Sequence, residues 1–220
     1  MKASRKEEIL STAVMLFNKD GFGAISLYDI AKEMNISRGN LTYHFKIKED
    51  ILKVLAERMW EKVTTVLSAS STLPSFKNLQ LQTKEYVACQ KEYAFVFLDH
   101  QVLNHPIIDK KFKELTKQGV EAHKMAIAFA IANGNFKPEP FNGAYNNLAF
   151  LTWNIGSIWT SQQINSGEMS IENLEVLMWS IIYPHFTEKG RQAFYTFFGD
   201  DIMDKLGQPF DTNVQNFILF

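Results

Sequence analysis

Apolar residues recur at helical spacing from the start of the chain. Ile9, Ala13, Leu16 and Phe17 share one face, with Arg5, Lys6, Glu7 and Glu8 in the opening turns, which predicts a helix over about 4–20. Ser4 supplies an N-cap, Glu7 three residues later completes a capping-box pattern, and Gly21 supplies the stop. A second stripe of Leu27, Ile30, Ala31 and Met34 follows the cap residue Ser26 and its first-turn Asp29, and stops near Asn35. Ser37 caps a third, short helix carrying Leu41 and Phe45. A longer fourth helix begins near Lys48, where Glu49 and Asp50 suit the positive helix end, and Ile51, Leu52, Leu55, Met59 and Val63 form its buried stripe.

The polar stretch from Ser68 to Ser75, with Pro74 inside it, reads as a linker. Beyond it the periodicity predicts helices over about 76–103, 107–133, 142–166, 171–186 and 188–198. Asn104-His105-Pro106, Asn133-Gly134-Asn135 and Gly199 provide the breaks. The tail from Asp200 holds one short helical pattern, then Gly207 and Pro209, and the sequence assigns it no role. The fold class is therefore all-α. Three short helices over 1–47 form a first domain, a connecting helix covers 48–67, and a larger helical domain covers 68–220.

Composition supports this reading and narrows it. The chain is 46% hydrophobic and 21% charged, with 18 Phe against 11 Gly and 6 Pro, a balance of bulky packing residues over breakers that suits packed helices. Cys89 is the single cysteine, which excludes an intrachain disulfide framework and a cysteine-rich zinc site. The most apolar stretch, Ala144 to Ile158, is interrupted by Asn146, Asn147, Asn154 and Ser157. No run reaches the roughly 20 apolar residues of a membrane span, and no signal-peptide core is visible. The expectation is a soluble, cytoplasmic protein. Net charge is −1 overall, but residues 1–60 carry 10 basic and 8 acidic side chains, whereas 61–220 carry 13 and 16. That asymmetry has the sign expected of an N-terminal nucleic-acid module.

Helix, tight turn and short helix over Ser26 to Phe45 is the arrangement that sets a recognition helix in the DNA major groove. Ala31 is small enough for two helices to cross closely. Asn35 sits where the chain reverses and tolerates the left-handed conformation. Ile36 and Leu41 turn inward, which leaves Ser37, Arg38, Gly39, Asn40, Thr42, Tyr43 and His44 as the outward face. The pattern of Ser26, Ile30-Ala31, Ile36-Ser37, Leu41, Tyr43-His44-Phe45 and Lys48-Glu49-Asp50-Ile51-Leu52, after a helix ending in Phe17 and Gly21, resembles the DNA-binding domain of TetR-family transcriptional repressors. The likeness covers about residues 5–55. Ser26 stands where that family commonly has Thr, and Asn35 where it commonly has Gly. The resemblance implies that Arg38, Gly39, Asn40 and Thr42 face base edges, while Tyr43, His44 and Lys48 reach phosphates. Arg and Asn pair bidentately with guanine and adenine, and a Thr methyl meets a thymine methyl. Lys2, Arg5 and Lys6 fit either a solvated face or a backbone contact, and Tyr43 also fits a half-buried packing role.

The resemblance further implies that the larger domain forms a homodimer and encloses a small-molecule effector, with no cofactor and no metal. Aromatic and polar residues at helical spacing fit such a pocket, though each taken singly fits plain core better: Tyr86, Tyr93, Phe97 and His100 on one helix; Phe150, Trp153, Asn154 and Ser157 on another; Met125 and Phe129 on a third. The apolar arc of Leu174, Leu177, Met178, Ile181 and Ile182, followed by Phe194, Tyr195, Phe197 and Phe198, suggests a dimer surface on the last two helices. The expected function is a ligand-responsive dimeric repressor reading a palindromic operator. A helical protein-interaction adaptor and an enzyme with an aromatic pocket are the rivals. Against an enzyme, no His-Glu-x-x-His, Gly-rich phosphate loop or Gly-x-Ser-x-Gly is present, no catalytic residues are assigned, and the histidines are scattered.

Overall fold

The computed structural model describes residues 4–68, 74–166 and 171–206. The core of the expected linker, Lys2, and the tail with Gly207 and Pro209 lie outside the described residues. Twelve α-helices occupy the described chain: α1 (Arg5–Asp20), α2 (Leu27–Glu33), α3 (Arg38–His44), α4 (Lys48–Ser68), α5 (Phe76–Glu92), α6 (Ala94–Leu98), α7 (His100–Leu103), α8 (Pro106–Ala132), α9 (Ala144–Ser166), α10 (Ile171–Ile182), α11 (Glu188–Phe198) and α12 (Ile202–Leu206). Among the described residues the sole β-type pairing is an isolated antiparallel bridge between Phe136 and Phe186.

The helices group into two compact units, one of residues up to 65 with 88–114, the other of 66–87 with 115 onward. These boundaries fall inside α4, α5 and α8, not at the 47/48 and 67/68 positions expected from sequence. Loops punctuate the sequence visibly, whereas a change of packing partner within a continuous helix leaves no breaker behind.

In the first unit the expected stripes are buried. Ile9, Phe17, Ile30, Leu41, Phe45, Ile51, Leu52, Leu55, Met59 and Val63 are at most 3% exposed. Phe17 lies 5.1 Å from Phe22 and 5.3 Å from Phe95, ring centre to ring centre. The Ser4 hydroxyl caps α1 by accepting from the Glu7 amide. The Glu7 carboxylate, however, accepts from both terminal nitrogens of Arg58 at 2.6 and 2.7 Å. The reciprocal capping box forms at α2 instead, between Ser26 and Asp29.

The helix expected over 76–103 is broken twice. Asn18 on α1 bridges the first break: its amide nitrogen donates to the Glu92 carbonyl at 2.9 Å, and its amide oxygen accepts from the Phe95 N–H at 3.0 Å. Backbone groups freed by the break are thus satisfied by a side chain 74 residues away. At the second break Asp99 caps α7 by accepting from the Gln101 amide.

The second unit is built on aromatic packing. Phe136, Tyr145, Leu148, Trp179, Phe186, Phe194, Ile202 and Leu206 form one buried cluster, with the Phe76 ring 5.4–5.8 Å from those of Trp179, Phe186, Phe194 and Phe198. Pro184 ends α10 short of the expected 186, in a 3-10 turn over Tyr183–His185. Much of the apolar arc that suggested a dimer surface is used within this one chain. Leu174 and Phe194 are fully buried, and Leu177 and Met178 pack on Val87, Trp159 and Leu174. Phe197 on α11, and Phe150 and Leu151 on α9, stay exposed.

Candidate nucleic-acid interface and ligand cavity

The turn between α2 and α3 is closed by the backbone. Asn35 adopts φ +53°, its N–H donates to the Lys32 carbonyl, and the Ile36 N–H donates to the Ala31 carbonyl at 3.0 Å. That is the Schellman termination, in which the left-handed residue is usually Gly and sometimes Asn. Ser37 starts α3 at once, its hydroxyl accepting from the Asn40 amide at 3.1 Å. Two caps either side of one left-handed residue fix the crossing of α2 and α3, and buried Ala31 and Leu41 fill it.

Of the residues expected to meet DNA, Ser37, Arg38, Gly39, Asn40 and Tyr43 are exposed on or beside α3, Tyr43 at 86%. Thr42 and His44 are half-buried. The Thr42 hydroxyl donates back to the Gly39 carbonyl, and the His44 ring sits edge-on to Tyr43 at 5.2 Å. Lys48 is placed differently from a free phosphate clamp. Its Nζ donates to the Phe22 carbonyl at 2.6 Å and stands 4.2 Å above the Phe22 ring, and burial draws its pKa below the usual lysine value. Asp50 accepts from the backbone N–H groups of Lys46 and Ile47, both at 3.1 Å, which fixes the turn from α3 into α4. Tyr28, at the first turn of α2 and 61% exposed, was not singled out from sequence. Its position off the Leu27-Ile30-Ala31-Met34 stripe was the available signal.

The second unit contains a cavity of about 390 Å³ lined from α5, α8, α9 and α10. Of the residues offered from sequence, Tyr86, Met125, Phe129 and Trp153 line it. Tyr93, Phe97 and His100 belong to the first unit. Tyr93 is buried beneath the Lys62 ammonium, Phe97 packs edge-on against Phe112, and His100 is exposed and bonded to Asn104. The breaks at Tyr93 and Asp99 separate these side chains from the face that carries Tyr86. Phe150 is 56% exposed, and the Asn154 amide donates to the Phe150 carbonyl, so neither belongs to the lining.

Sequence reasoning passed over His123 and Glu175. His123 lies on the stripe Ala122, His123, Ala126, Ile127 and Ala130 of α8, all of which line the cavity. That run of small and apolar residues with one imidazole was the available signal. The His123 Nδ1 is 2.7 Å from the Thr152 hydroxyl, and burial pulls its pKa down to about 4, so the ring is neutral at pH 7. The Thr152 hydroxyl also lies within donor reach of the Leu148 carbonyl at 2.9 Å and the Ala149 carbonyl at 3.2 Å. With its proton on either carbonyl, the hydroxyl accepts from Nδ1–H and Nε2 carries the free lone pair. Glu175 is held by Gln80, whose Nε2 donates to Oε2 at 2.8 Å, and Lys84 stands 3.7 Å from Oε1. The Trp153 indole lies against α8 where Gly119 has no side chain, tilted 35° from the Tyr86 ring at 5.4 Å and edge-on to His123 at 6.0 Å.

Among the described residues no group of three or more His, Cys, Asp or Glu is placed to hold a metal ion, and no helix is long and apolar enough to cross a membrane.

Comparison with known proteins agrees with this geometry. Residues 9–55 match the model for bacterial regulatory proteins of the tetR family, and residues 55–194 match that for a bacterial transcriptional repressor of TetR type. The chain is 32% identical over 87 residues to the probable HTH-type transcriptional regulator YttP of Bacillus subtilis. That match covers 40% of this chain and 42% of YttP, less than half the length of either. It is 26% identical over 168 residues to the HTH-type transcriptional regulator QacR of Staphylococcus aureus, covering 73% of this chain and 88% of QacR. In fold it is similar to a TetR-family transcriptional regulator from Marinobacter aquaeolei VT8, with a TM-score of 0.77 and 19% identity over 88% of this chain and 97% of that one. The chain belongs to the TetR family of bacterial transcriptional regulators.

Proposed function

We propose that this regulator is a repressor that binds a palindromic operator as a homodimer and releases it when a small molecule occupies the cavity of the second unit. The observation that carries the DNA half is α3. A seven-residue helix, capped by Ser37 and set by the left-handed Asn35, presents Arg38, Gly39 and Asn40 to solvent with no buried role. Arg38 and Asn40 are the base readers, matched to guanine and adenine. Ser37, Thr42, Tyr43 and His44 surround them, with the Thr42 methyl as an apolar contact and Tyr43 and His44 as phosphate contacts. Lys48 acts on DNA through the loop it holds at Phe22. Such work places the protein in the cytoplasm and requires neither cofactor nor catalytic residues.

The exposed Phe150 and Leu151 of α9, with Phe197 of α11, support a two-fold interface through the C-terminal helices. It would set two recognition helices about one DNA turn, ~34 Å, apart. Met125, Phe129, Trp153 and His123 form part of the effector site. The effector acts only through its different affinities for the DNA-competent and DNA-incompetent dimers.

Selection from a pool of random duplexes tests the reading. The expected product is an inverted repeat whose affinity falls steeply with salt. Recovery of no common sequence would refute it.

A further inference from the structure

The cavity's polar groups specify more than its size. Aromatic and aliphatic side chains make up most of the wall, among them Phe76, Phe129, Trp153 and Trp179. Among the described residues no Lys or Arg lines it, and Glu175 is its one carboxylate. Glu175 is itself paired with Lys84 and Gln80, so an anion meets a largely apolar surface with no lining cation to pair with, which disfavours it. His123 also lines the cavity. With the Thr152 proton on the Leu148 or Ala149 carbonyl, His123 spends its Nδ1–H on Thr152. Among the described residues its Nε2 has no hydrogen-bond partner, so the ring offers an acceptor and no donor.

Resting on the reading of this cavity as the effector site, we propose that the effector is a mostly apolar, ring-sized molecule whose polar end is a hydrogen-bond donor, a hydroxyl or protonated amine, received by His123 Nε2. Thr152 is a positioning residue. It sets the tautomer, and through it the sign of the hydrogen bond that the ligand must make. The preference for a donor is thus written in the chain His123–Thr152–Leu148, and the exclusion of anions in the lack of a lining cation among the described residues.

Naphthalene, 2-naphthol and 2-naphthoate share one ring system and differ in carrying no polar group, a donor or an anion. Binding of each to the full-length protein is measured by titration calorimetry at pH 7.5. The proposal predicts that 2-naphthol binds about tenfold tighter than naphthalene, the worth of one hydrogen bond in an apolar site, and that 2-naphthoate binds most weakly. His123→Phe removes the difference between 2-naphthol and naphthalene while still binding both. Thr152→Val releases Nδ1 and permits the other tautomer, so the preference for 2-naphthol shrinks although His123 remains. That loss separates a tautomer-setting role from simple packing. If wild-type protein binds 2-naphthol no tighter than naphthalene, or 2-naphthoate best, the donor proposal is overturned and the cavity reading stands. If neither naphthalene nor 2-naphthol binds, the cavity reading falls and the proposal falls with it.

Discussion

Replacing Asn18 with Ala should destabilise the first unit far more than its position on the half-exposed side of α1 suggests. The side chain holds two backbone groups at the break between α5 and α6, the Glu92 carbonyl at 2.9 Å and the Phe95 N–H at 3.0 Å. Phe95 is 2% exposed, so its orphaned N–H would have no water to turn to, a cost of about 1–3 kcal/mol. Glu92 lies at the surface, where its carbonyl can be solvated, and losing that bond costs about 0.5–1.5 kcal/mol. The sum is about 1.5–4.5 kcal/mol, or a fall in Tm of about 3–18 °C for a chain of this size. Asn18→Asp keeps the acceptor for Phe95 and loses only the donor to Glu92, so it should recover roughly two thirds of the loss. Urea denaturation gives the total, and native-state hydrogen exchange at the Phe95 amide gives the local part. A change below about 0.5 kcal/mol for Asn18→Ala, with unchanged protection at Phe95, would refute the account of the break.

Three further outcomes follow from the packing. A Cβ at Gly119 would overlap the Trp153 ring. In Gly119→Ala the helix gains about 1 kcal/mol of propensity against an overpacking cost of about 1–3 kcal/mol, so the net effect is destabilising, and the displaced indole should shift tryptophan emission. His123 is held neutral with a pKa of about 4 against 6.5 when free. Below pH 6.5 the unfolded chain therefore takes up a proton that the folded one refuses, and stability drops as pH falls. Between pH 7 and 5 the wild type should lose about 2 kcal/mol more than His123→Phe in urea melts. The Cys89 thiol is buried, with its pKa pushed up to about 12, so an aromatic disulfide reagent should label it only in denaturant.

The first forty-five residues were legible because their signals are local. Ser26, Ser37 and Asn35 each act within four residues of their own position, and a single sequence carries such information in full. Glu7 shows the limit: it occupies the right place for a capping box and is drawn away by Arg58, 51 residues distant. The break at Tyr93 was hidden for the same reason, since Asn18 has no reason to look special in sequence. With that break unseen, Tyr93, Phe97 and His100 read as one face with Tyr86. On α8 and α9, which run unbroken through the cavity wall, the same spacing argument reached Met125, Phe129 and Trp153. Periodicity gives a residue's face, but not which neighbour that face meets. His123 stayed unnoticed because its role depends on the Thr152 proton, which no spacing rule records.

Base reading by α3 is tested by equilibrium binding of Arg38→Ala and Asn40→Ala to the selected operator and to an unrelated duplex, each variant first shown to melt like the wild type. Loss of one bidentate base contact should weaken operator binding about tenfold to a hundredfold while binding to the unrelated duplex barely changes. Operator affinity equal to wild type in both variants would contradict the account.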